Sequence, residues 1–188
     1  MGDPPLSALG SVAYLTDVEG HAIKGMFLSR HADEVWEAVH HQLIDPPPRG
    51  KYHAFEWYPM GDYARLFDHA ARARFPGSAR EAYRLLGRSE IEVFAASTLG
   101  RVTFSMLGDP AAALLRYPEV LSVVWKGPAS KAERLDTNRV RVSFEGAVGA
   151  AVEHVLGAIE GLVIEFDERP TLDVEVDASR RYSFDVSW

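Results

Sequence analysis

The sequence contains no cysteine in its 188 residues. This absence excludes disulfide bonds, thiolate metal sites and cysteine nucleophiles. It also fits the reducing cytoplasm, which is the localisation we expect. The opening stretch Met-Gly-Asp-Pro-Pro has neither the basic nor the apolar region of a signal peptide, so we expect none. Because no apolar run approaches the ~20 residues that cross a bilayer, we also expect no membrane insertion.

Positive charge is scarce as well. The chain carries 20 Lys and Arg against 27 Asp and Glu, a net charge of −7, and its arginines are scattered among acids. Since there is no basic stripe, we expect no nucleic-acid partner. The hydrophobic content of 47% and charged content of 25% are those of an ordinary globular protein, long enough to bury a core. We therefore expect one domain over residues 1–188.

The sequence patterns of common catalytic sites are missing. Ser105 lies in Phe-Ser-Met-Leu-Gly and lacks the Gly-x-Ser-x-Gly turn of serine hydrolases. Neither Gly-x-x-x-x-Gly-Lys nor Gly-x-Gly-x-x-Gly occurs, so no phosphate-binding loop is predicted. Neighbouring carboxylates, such as Glu90 with Glu92, lie in polar stretches and are expected to be solvated. We therefore expect no catalytic residues and no enzymatic activity.

The histidines do not have the spacing of a metal site. His40 and His41 adjoin on one predicted helix, so their side chains diverge by about 100° and do not chelate together. No His-Glu-x-x-His pattern occurs around His31. His154 beside Glu153 is expected to form an exposed pair on a helix. We therefore expect no metal.

The C-terminal stretch has the clearest pattern of the chain. Residues 139–144 alternate apolar and polar side chains, which predicts a strand with one buried face. Residues 172–176 and 181–188 alternate in the same way around the turn-like residues 177–180, which predicts a hairpin. Because the pattern runs to Trp188, we expect the C-terminus to be held in the sheet.

Between these strands the apolar period changes to that of a helix. The apolar residues of 147–162 are spaced four and three apart and form one stripe. Gly157 and Gly161 lower helix propensity by roughly 1 kcal/mol each. We expect them to bring the helix close to the sheet, although Gly161 could instead end the helix. The stripe consists of Val148, Val152, Val155, Ile159 and Leu162.

The first two-thirds of the chain is predicted to be helical. We expect residues 1–11 to be loose and residues 12–118 to be mainly helical. The prolines at 46–48 favour an extended surface loop that could dock a partner. Residues 119–188 then form an antiparallel sheet with one inserted helix. The fold class is therefore α+β, with the helical part packed on the C-terminal sheet.

Two helix starts are marked by capping residues. Ser78, with Glu81 three residues later, forms a capping box. Asp109 can cap a second helix that begins at the next residue. We expect Pro118 to end that helix and residues 120–125 to form a strand.

Aromatic and methionine residues from several predicted helices could line an apolar ligand pocket between helices and sheet. The same residues could equally fill a solid core, and the sequence pattern does not separate the two. The candidates are Phe27, Trp36, Tyr63, Phe67, Phe94, Phe104, Met106 and Tyr117.

Short stretches resemble a myxobacterial domain family of unknown function. They are Ile-Lys-Gly-Met-Phe at 23–27, Tyr-Pro-Met-Gly-Asp-Tyr-Ala-Arg-Leu at 58–66, Arg-Leu-Leu-Gly-Arg at 84–88 and Leu-Gly-Arg at 99–101. The resemblance covers most of residues 22–188. More distantly, the order of helices, strand, helix and hairpin is similar to haem nitric-oxide/oxygen-binding domains and to 4-vinyl-reductase-type domains. It implies a sensor module with a pocket between helices and a four-stranded sheet.

The resemblance also implies what a haem-binding member would carry. Such members have a proximal histidine in the segment matching residues 109–125, where Tyr117 is the only conceivable ligand here. Their Tyr-x-Ser-x-Arg motif, which holds the haem propionates, matches residues 141–145. Only Ser143 remains there, and Glu145 would repel a propionate. The zinc-type cysteines of some vinyl-reductase domains are absent too, so we expect no cofactor.

Two functional hypotheses follow. The first is a non-enzymatic, cytoplasmic sensor-like domain that binds an apolar or amphipathic small molecule without haem and signals through a partner surface. The second is a protein-interaction or scaffold domain, or a homodimer, with a solid core and no ligand. A dry cavity larger than a few hundred cubic ångströms would favour the first hypothesis, and a packed interior would favour the second.

Overall fold

A computed structural model describes residues 21–127, 129–145, 149–176 and 181–188. The expectations that lie outside these ranges are those for the loose start at 1–11, for residues 12–20, for Val148 in the apolar stripe and for the turn at 177–180.

Helices dominate the first part of the described chain, and strands dominate the last part. The helices are α1 (Gly25–Val39), α2 (Met60–Arg74), α3 (Ala79–Ala96), α4 (Thr98–Leu107), α5 (Pro110–Val124) and α6 (Gly149–Ile164). The strands are β1 (Ala22–Lys24), β2 (Trp57–Pro59), β3 (Trp125–Lys126), β4 (Ala129–Asp136), β5 (Arg139–Glu145), β6 (Thr171–Val176) and β7 (Arg181–Ser187). The predicted α+β class is confirmed.

Both predicted caps are present. The Ser78 hydroxyl accepts a hydrogen bond from the Glu81 backbone N–H at 3.2 Å. The Asp109 carboxylate accepts one from the Ala112 N–H at 2.6 Å. Each side chain satisfies a backbone donor that the first turn of a helix leaves unpaired.

The prediction that Pro118 ends its helix is wrong. Helix α5 continues through Pro118 to Val124, and only Trp125 and Lys126 form the short strand β3. Proline removes one helical hydrogen bond but does not force the chain to leave the helix. The apolar side chains of Leu121 and Val124 pack towards the interior, and this packing outweighs the local proline signal.

The four-stranded sheet has the order β4-β5-β7-β6, and all neighbouring strands are antiparallel. Its inner face is apolar, with Val140, Val142 and Phe144 of β5 all buried. The predicted hairpin between β6 and β7 is confirmed. Trp188 extends the pairing of the two central strands β5 and β7, because its N–H donates to the Asn138 carbonyl at 3.3 Å. A second sheet of order β2-β1-β3 was not predicted, because strands of two or three residues show no period.

The glycines of α6 approach a helix and not the sheet, which corrects the expectation above. A Cβ added to Gly157 would lie 1.9 Å from the carbonyl oxygen of Arg84, on α3. In return, a Cβ added to Gly87 on α3 would lie 2.1 Å from the carbonyl oxygen of His154, on α6. Helix α3 also runs through Gly87 without a break. The two backbones are therefore in direct contact at these glycines.

The buried side chains form two clusters. The helical cluster comes from β1, α1, α2 and the first half of α3, and it includes Leu28, Val39, Leu66, Phe67, Tyr83 and Leu86. The sheet cluster comes from the inner face of the sheet, α5 and α6, and it includes Leu114, Val140, Phe144, Ile159, Tyr182 and Phe184. None of the helices within the described ranges has the length and apolar character that crossing a membrane requires.

Candidate ligand cavity

An internal cavity of about 60 Å³ lies where the two clusters meet. The side chains around its mouth are only half-buried, so the cavity approaches solvent there. Its lining comprises Ile23, Phe27, Met60, Tyr63 and Phe67 from the helical side, and Tyr117, Leu121, Val124, Trp125, His154 and Val155 from the sheet side.

Two larger depressions are open to solvent. One, of about 360 Å³, lies between Pro118 and Trp125 of α5–β3 and the start of β4. The other, of about 520 Å³, follows the seam between α3 and α6, where Arg80 is ion-paired with Glu153. We place the candidate site at the smaller internal cavity, because it is more enclosed and a cluster of buried ionisable groups adjoins it.

The structure brings together part of the predicted pocket. Phe27, Tyr63, Phe67 and Tyr117 all line the cavity. Their rings come from three different helices, and those of Tyr63 and Phe67 lie 5.7 Å apart.

The other predicted pocket residues lie elsewhere. Trp36 stacks on His40 with the ring centroids 5.5 Å apart, outside the cavity. Phe94 and Phe104 contact each other across α3 and α4, 6.2 Å apart. Met106 is 82% exposed. Gly100 is the buried residue of α4, and Phe104 is half-buried against the sheet cluster, whereas Leu99, Val102 and Met106 of this helix are exposed.

A cluster of ionisable residues that the sequence did not predict adjoins the cavity. The Glu90 carboxylate receives His31 Nε2 on one oxygen at 2.9 Å and His154 Nε2 on the other at 2.7 Å. The Tyr63 hydroxyl lies 3.5 Å from the same His154 nitrogen. These groups come from α1, α2, α3 and α6, so the cluster links the helical side of the protein to the sheet side.

The expectations for these residues were therefore wrong. Glu90 is not solvated, and His154 is not part of an exposed pair with Glu153. Instead, Glu153 is itself buried and ion-paired with Arg80. A signal was available in the sequence, because Glu90 follows Tyr83 and Leu86 at helical spacing and so falls on the buried face of its helix.

The electrostatics of the cluster keep Glu90 charged. Burial raises the pKa of Glu90, but attraction to His154 and the hydrogen bonds from both histidines outweigh burial, so the pKa is lowered well below its usual range. Burial, followed by the negative charge of Glu90, raises the pKa of the Tyr63 and Tyr117 hydroxyls. Both tyrosines therefore stay protonated and can donate hydrogen bonds.

The hydrogen-bond geometry also places the protons. An ionised carboxylate only accepts, so both histidines must carry a hydrogen on Nε2. His31 Nδ1 is buried and has no partner among the described residues. His154 keeps 17% of its side chain exposed, whereas the side chain of His31 is fully buried.

Comparison with protein families adds an independent line of evidence. A family model described as a protein of unknown function (DUF2378) matches residues 17–188. The chain belongs to this family. This match confirms the predicted resemblance to a family of unknown function. No curated protein matches the chain.

The DUF2378 chain has the fold of H-NOX proteins. The Fe(II) unliganded H-NOX protein from K. algicida has a TM-score of 0.64 and 15% identity over 88% of this chain and 96% of that chain. An H-NOX protein from S. oneidensis in the Fe(II)NO ligation state has a TM-score of 0.64 and 11% identity over 88% and 98%. A mutant of T. tengcongensis H-NOX has a TM-score of 0.61 and 16% identity over 88% and 97%. At these identities the likeness shows the fold alone.

The residues of this chain do not fit a haem. A cavity of about 60 Å³ is far smaller than a porphyrin. Ser143 lies on the sheet face opposite the cavity, where its hydroxyl is 3.1 Å from that of Ser183. Arg141 lies on the same outer face and pairs with Asp185. Neither residue is placed to hold a propionate.

The donor set at the cavity also differs from the one that the haem-binding resemblance implies. Tyr117 lines the cavity in place of a histidine. His154 also lines it, but its Nε2 is bonded to Glu90. Within the described residues, no group of three or more His, Cys, Asp or Glu side chains could hold a metal ion.

Proposed function

We propose that this chain is a single, cytoplasmic sensor-like domain that binds a small apolar or amphipathic molecule without haem. The observation that carries this proposal is the cavity at the meeting point of the two hydrophobic clusters, with apolar walls and a few polar groups. Ligand sites commonly combine these features, and perturbed pKa values are concentrated at such sites. The H-NOX fold supports the proposal by analogy only.

The mechanism that we propose is a change in packing across the cavity. Its walls come from β1, α1 and α2 on one side and from α5, β3 and α6 on the other, so an occupant contacts both clusters. Leu121 and Val124 of α5 face the cavity, while Val120 and Val123 of the same helix are exposed. A ligand that favours one position of α5 would shift the population of that position and alter the outer surface offered to a partner.

Native mass spectrometry of the full chain from its natural host, with an absorbance spectrum of the same sample, tests the proposal. We expect extra mass that disappears on denaturation, and no Soret band. A Soret band would overturn the haem-free assignment. A bare protein mass would count against a tightly held ligand and in favour of the second candidate below.

The second candidate is a protein-interaction or scaffold domain. Two observations favour it: the cavity is smaller than the few hundred cubic ångströms set above as evidence for a ligand, and apolar side chains of α3 and α4 are exposed. On α4, Leu99, Val102 and Met106 are spaced three and four apart and so lie on one face. Contiguous exposed apolar surface commonly marks an interaction site.

Changing that face separates the two candidates. The double variant Leu99→Ser with Met106→Ser should leave the fold intact, because both side chains are exposed. If the face forms a homodimer, analytical ultracentrifugation should show a dimer for the natural chain and a monomer for the variant. A matched Val93→Ser variant on α3 reports whether the effect is confined to α4.

A further inference from the structure

The polar groups that line the cavity have one property in common. The Trp125 indole, the Tyr63 and Tyr117 hydroxyls and the His154 imidazole can all donate a hydrogen bond. The lining side chains include no carboxylate and no side-chain amide. An occupant would therefore meet donors along an otherwise apolar wall.

Two of these donors have no partner among the described residues. Trp125 Nε1 is buried and unbonded. The indole N–H only donates, and leaving such a group without an acceptor is unfavourable. The Tyr117 hydroxyl also makes no hydrogen bond to a described residue, and its raised pKa keeps its proton in place. The buried indole N–H of Trp125 therefore needs an acceptor, and the Tyr117 hydroxyl is available to donate a second hydrogen bond to the same occupant.

The charge near the cavity limits the kind of acceptor. Glu90 is ionised and bound directly to His154, and its negative charge contributes to the raised pKa of both Tyr63 and Tyr117. His31 binds the other oxygen of the same Glu90 carboxylate, and the positive charge of Arg30 lowers the pKa of Tyr63. An anion in the cavity would lie close to the buried, negatively charged Glu90 carboxylate. Repulsion between two negative charges is costly in a buried environment.

We propose that the cavity selects a small uncharged carbonyl compound (a ketone, aldehyde or ester) whose oxygen accepts hydrogen bonds from Tyr117 and Trp125. This rests on the proposed function and names the ligand class for the same cavity. A carbonyl oxygen has two acceptor positions, which matches two free donors. Its apolar substituents match Phe27, Leu121 and Val155. The volume of about 60 Å³ limits the compound to a few non-hydrogen atoms unless side chains move.

The test compares three probes with the same number of non-hydrogen atoms: 2-butanone, 2-methyl-1-butene and propionate. Dissociation constants are measured with the full ¹⁵N-labelled chain at neutral pH, from amide shifts of residues around the cavity. We expect 2-butanone to bind about tenfold more tightly than the alkene, because two net hydrogen bonds are gained. Propionate should bind more weakly than either.

Each outcome decides a different point. Equal binding of 2-butanone and 2-methyl-1-butene would overturn the carbonyl class but leave the cavity as a ligand site. Propionate binding as tightly as 2-butanone would overturn the charge argument, and with it the proposal. If none of the three probes shifts the cavity resonances, both this proposal and the proposed cavity function fail.

Conservative variants locate the donors. Tyr117→Phe and Trp125→Phe should each weaken 2-butanone binding about threefold to tenfold and leave alkene binding unchanged. Tyr52→Phe and Trp57→Phe are the matched controls, because neither residue lines the cavity. A loss of 2-butanone binding in the control variants would show that the effect is not local and would overturn the assignment of the donors.

Discussion

The two hydrophobic clusters meet at the cavity, but their interiors differ in kind. The inner face of the sheet is built from regularly alternating apolar residues, such as Phe184 and Val186 on β7. The helical side buries ionisable groups completely, namely His31 and Asp62. Each of these is held by a partner distant in the chain, such as Glu90 for His31. One side is specified by local pattern, and the other also depends on long-range polar pairs.

This difference bears on function as well as on stability. A cluster of well-packed apolar side chains resists change because any movement opens a void. A buried ion cluster is held by directional hydrogen bonds, and removing one partner leaves the others unsatisfied. The groups adjoining the cavity belong to the second kind. An occupant of the cavity would therefore act most directly on the hydrogen bonds where the two clusters meet.

The largest expected effect is on the sheet side. A chain that ends at Phe184 loses Val186, which is fully buried, and Asp185, which pairs with Arg139 and Arg141. We expect it to lose more than about 4 kcal/mol of the free energy of unfolding, measured by urea denaturation. Removing Trp188 alone is the matched control and should cost less. A chain ending at Phe184 that unfolds like the full chain would disprove the pinned C-terminus.

The same contrast explains how much could be predicted from sequence. Alternation in 139–144 predicted a strand, and the oxygen side chains of Ser78 and Asp109 predicted helix starts, because these signals lie within a few residues of their effect. Pro118 is an equally local signal for the end of a helix, but α5 continues through it because the helix packs on the interior. Local signals succeed where no tertiary contact opposes them.

The site was predicted less well for the same reason. Tyr63 and Tyr117 were identified because aromatic residues on helical stripes face inward. Met106 was not separated from them, since the spacing on α4 does not tell which face is covered. The spacing of Glu90 from Tyr83 and Leu86 placed it on the buried face of its helix, but its histidine partners, 59 and 64 positions away, could not be identified from a local window.

The second-largest effect is expected at the contact between α3 and α6, where the two clusters meet. Gly157→Ala places a Cβ against the backbone oxygen of Arg84, where no rotamer change relieves the clash. We expect a loss of about 3 kcal/mol in the free energy of unfolding, larger than the ~1 kcal/mol that alanine gains in helix propensity. Thermal denaturation followed by circular dichroism measures it.

Gly161→Ala provides the control on the same helix. Its added Cβ would meet the side chain of Ile91 at 2.9 Å, and a side chain can shift where a backbone cannot. We expect a loss of no more than about 1 kcal/mol. Equal losses for both variants would show that helix propensity, and not the close approach of α3 and α6, governs this seam.

The buried cluster of Glu90, His31 and His154 should make the free energy of unfolding depend on pH. The folded-state pKa of Glu90 is lowered from its ordinary value of 4.5, so its stabilisation is present above about pH 4.5 and is lost as the pH falls below it. Glu90→Gln should cost about 2 kcal/mol at pH 7, because a charged acceptor for two histidines is lost. The difference in free energy of unfolding between the two proteins should shrink below pH 4.5.

Glu92→Gln is the matched control, since Glu92 is an exposed residue of the same helix. It should change the free energy of unfolding by less than about 0.5 kcal/mol. A Glu90→Gln difference that stays constant from neutral to acid pH would mean that the carboxylate charge does not stabilise the junction.

The smallest effect sharpens the comparison within the helical side. Asp62 is buried and accepts the backbone N–H groups of Ile44 and Asp45 at 2.5 and 2.9 Å, which holds the proline loop against α2. Burial raises the pKa of Asp62, and these two hydrogen bonds oppose the rise. Asp62→Asn keeps the shape but turns one acceptor into a donor facing an N–H. We expect a cost of about 1–2 kcal/mol in urea denaturation.

Hydrogen exchange of the Ile44 and Asp45 amides makes this last prediction local. Both should exchange faster in the Asp62→Asn variant, while amides of β5 keep their protection, because the loop can open without the sheet. Faster exchange throughout β5 would mean that the two clusters unfold as one unit. The distinction between a locally patterned side and a polar-paired side would then describe how the sequence encodes the fold, but not how the folded protein moves.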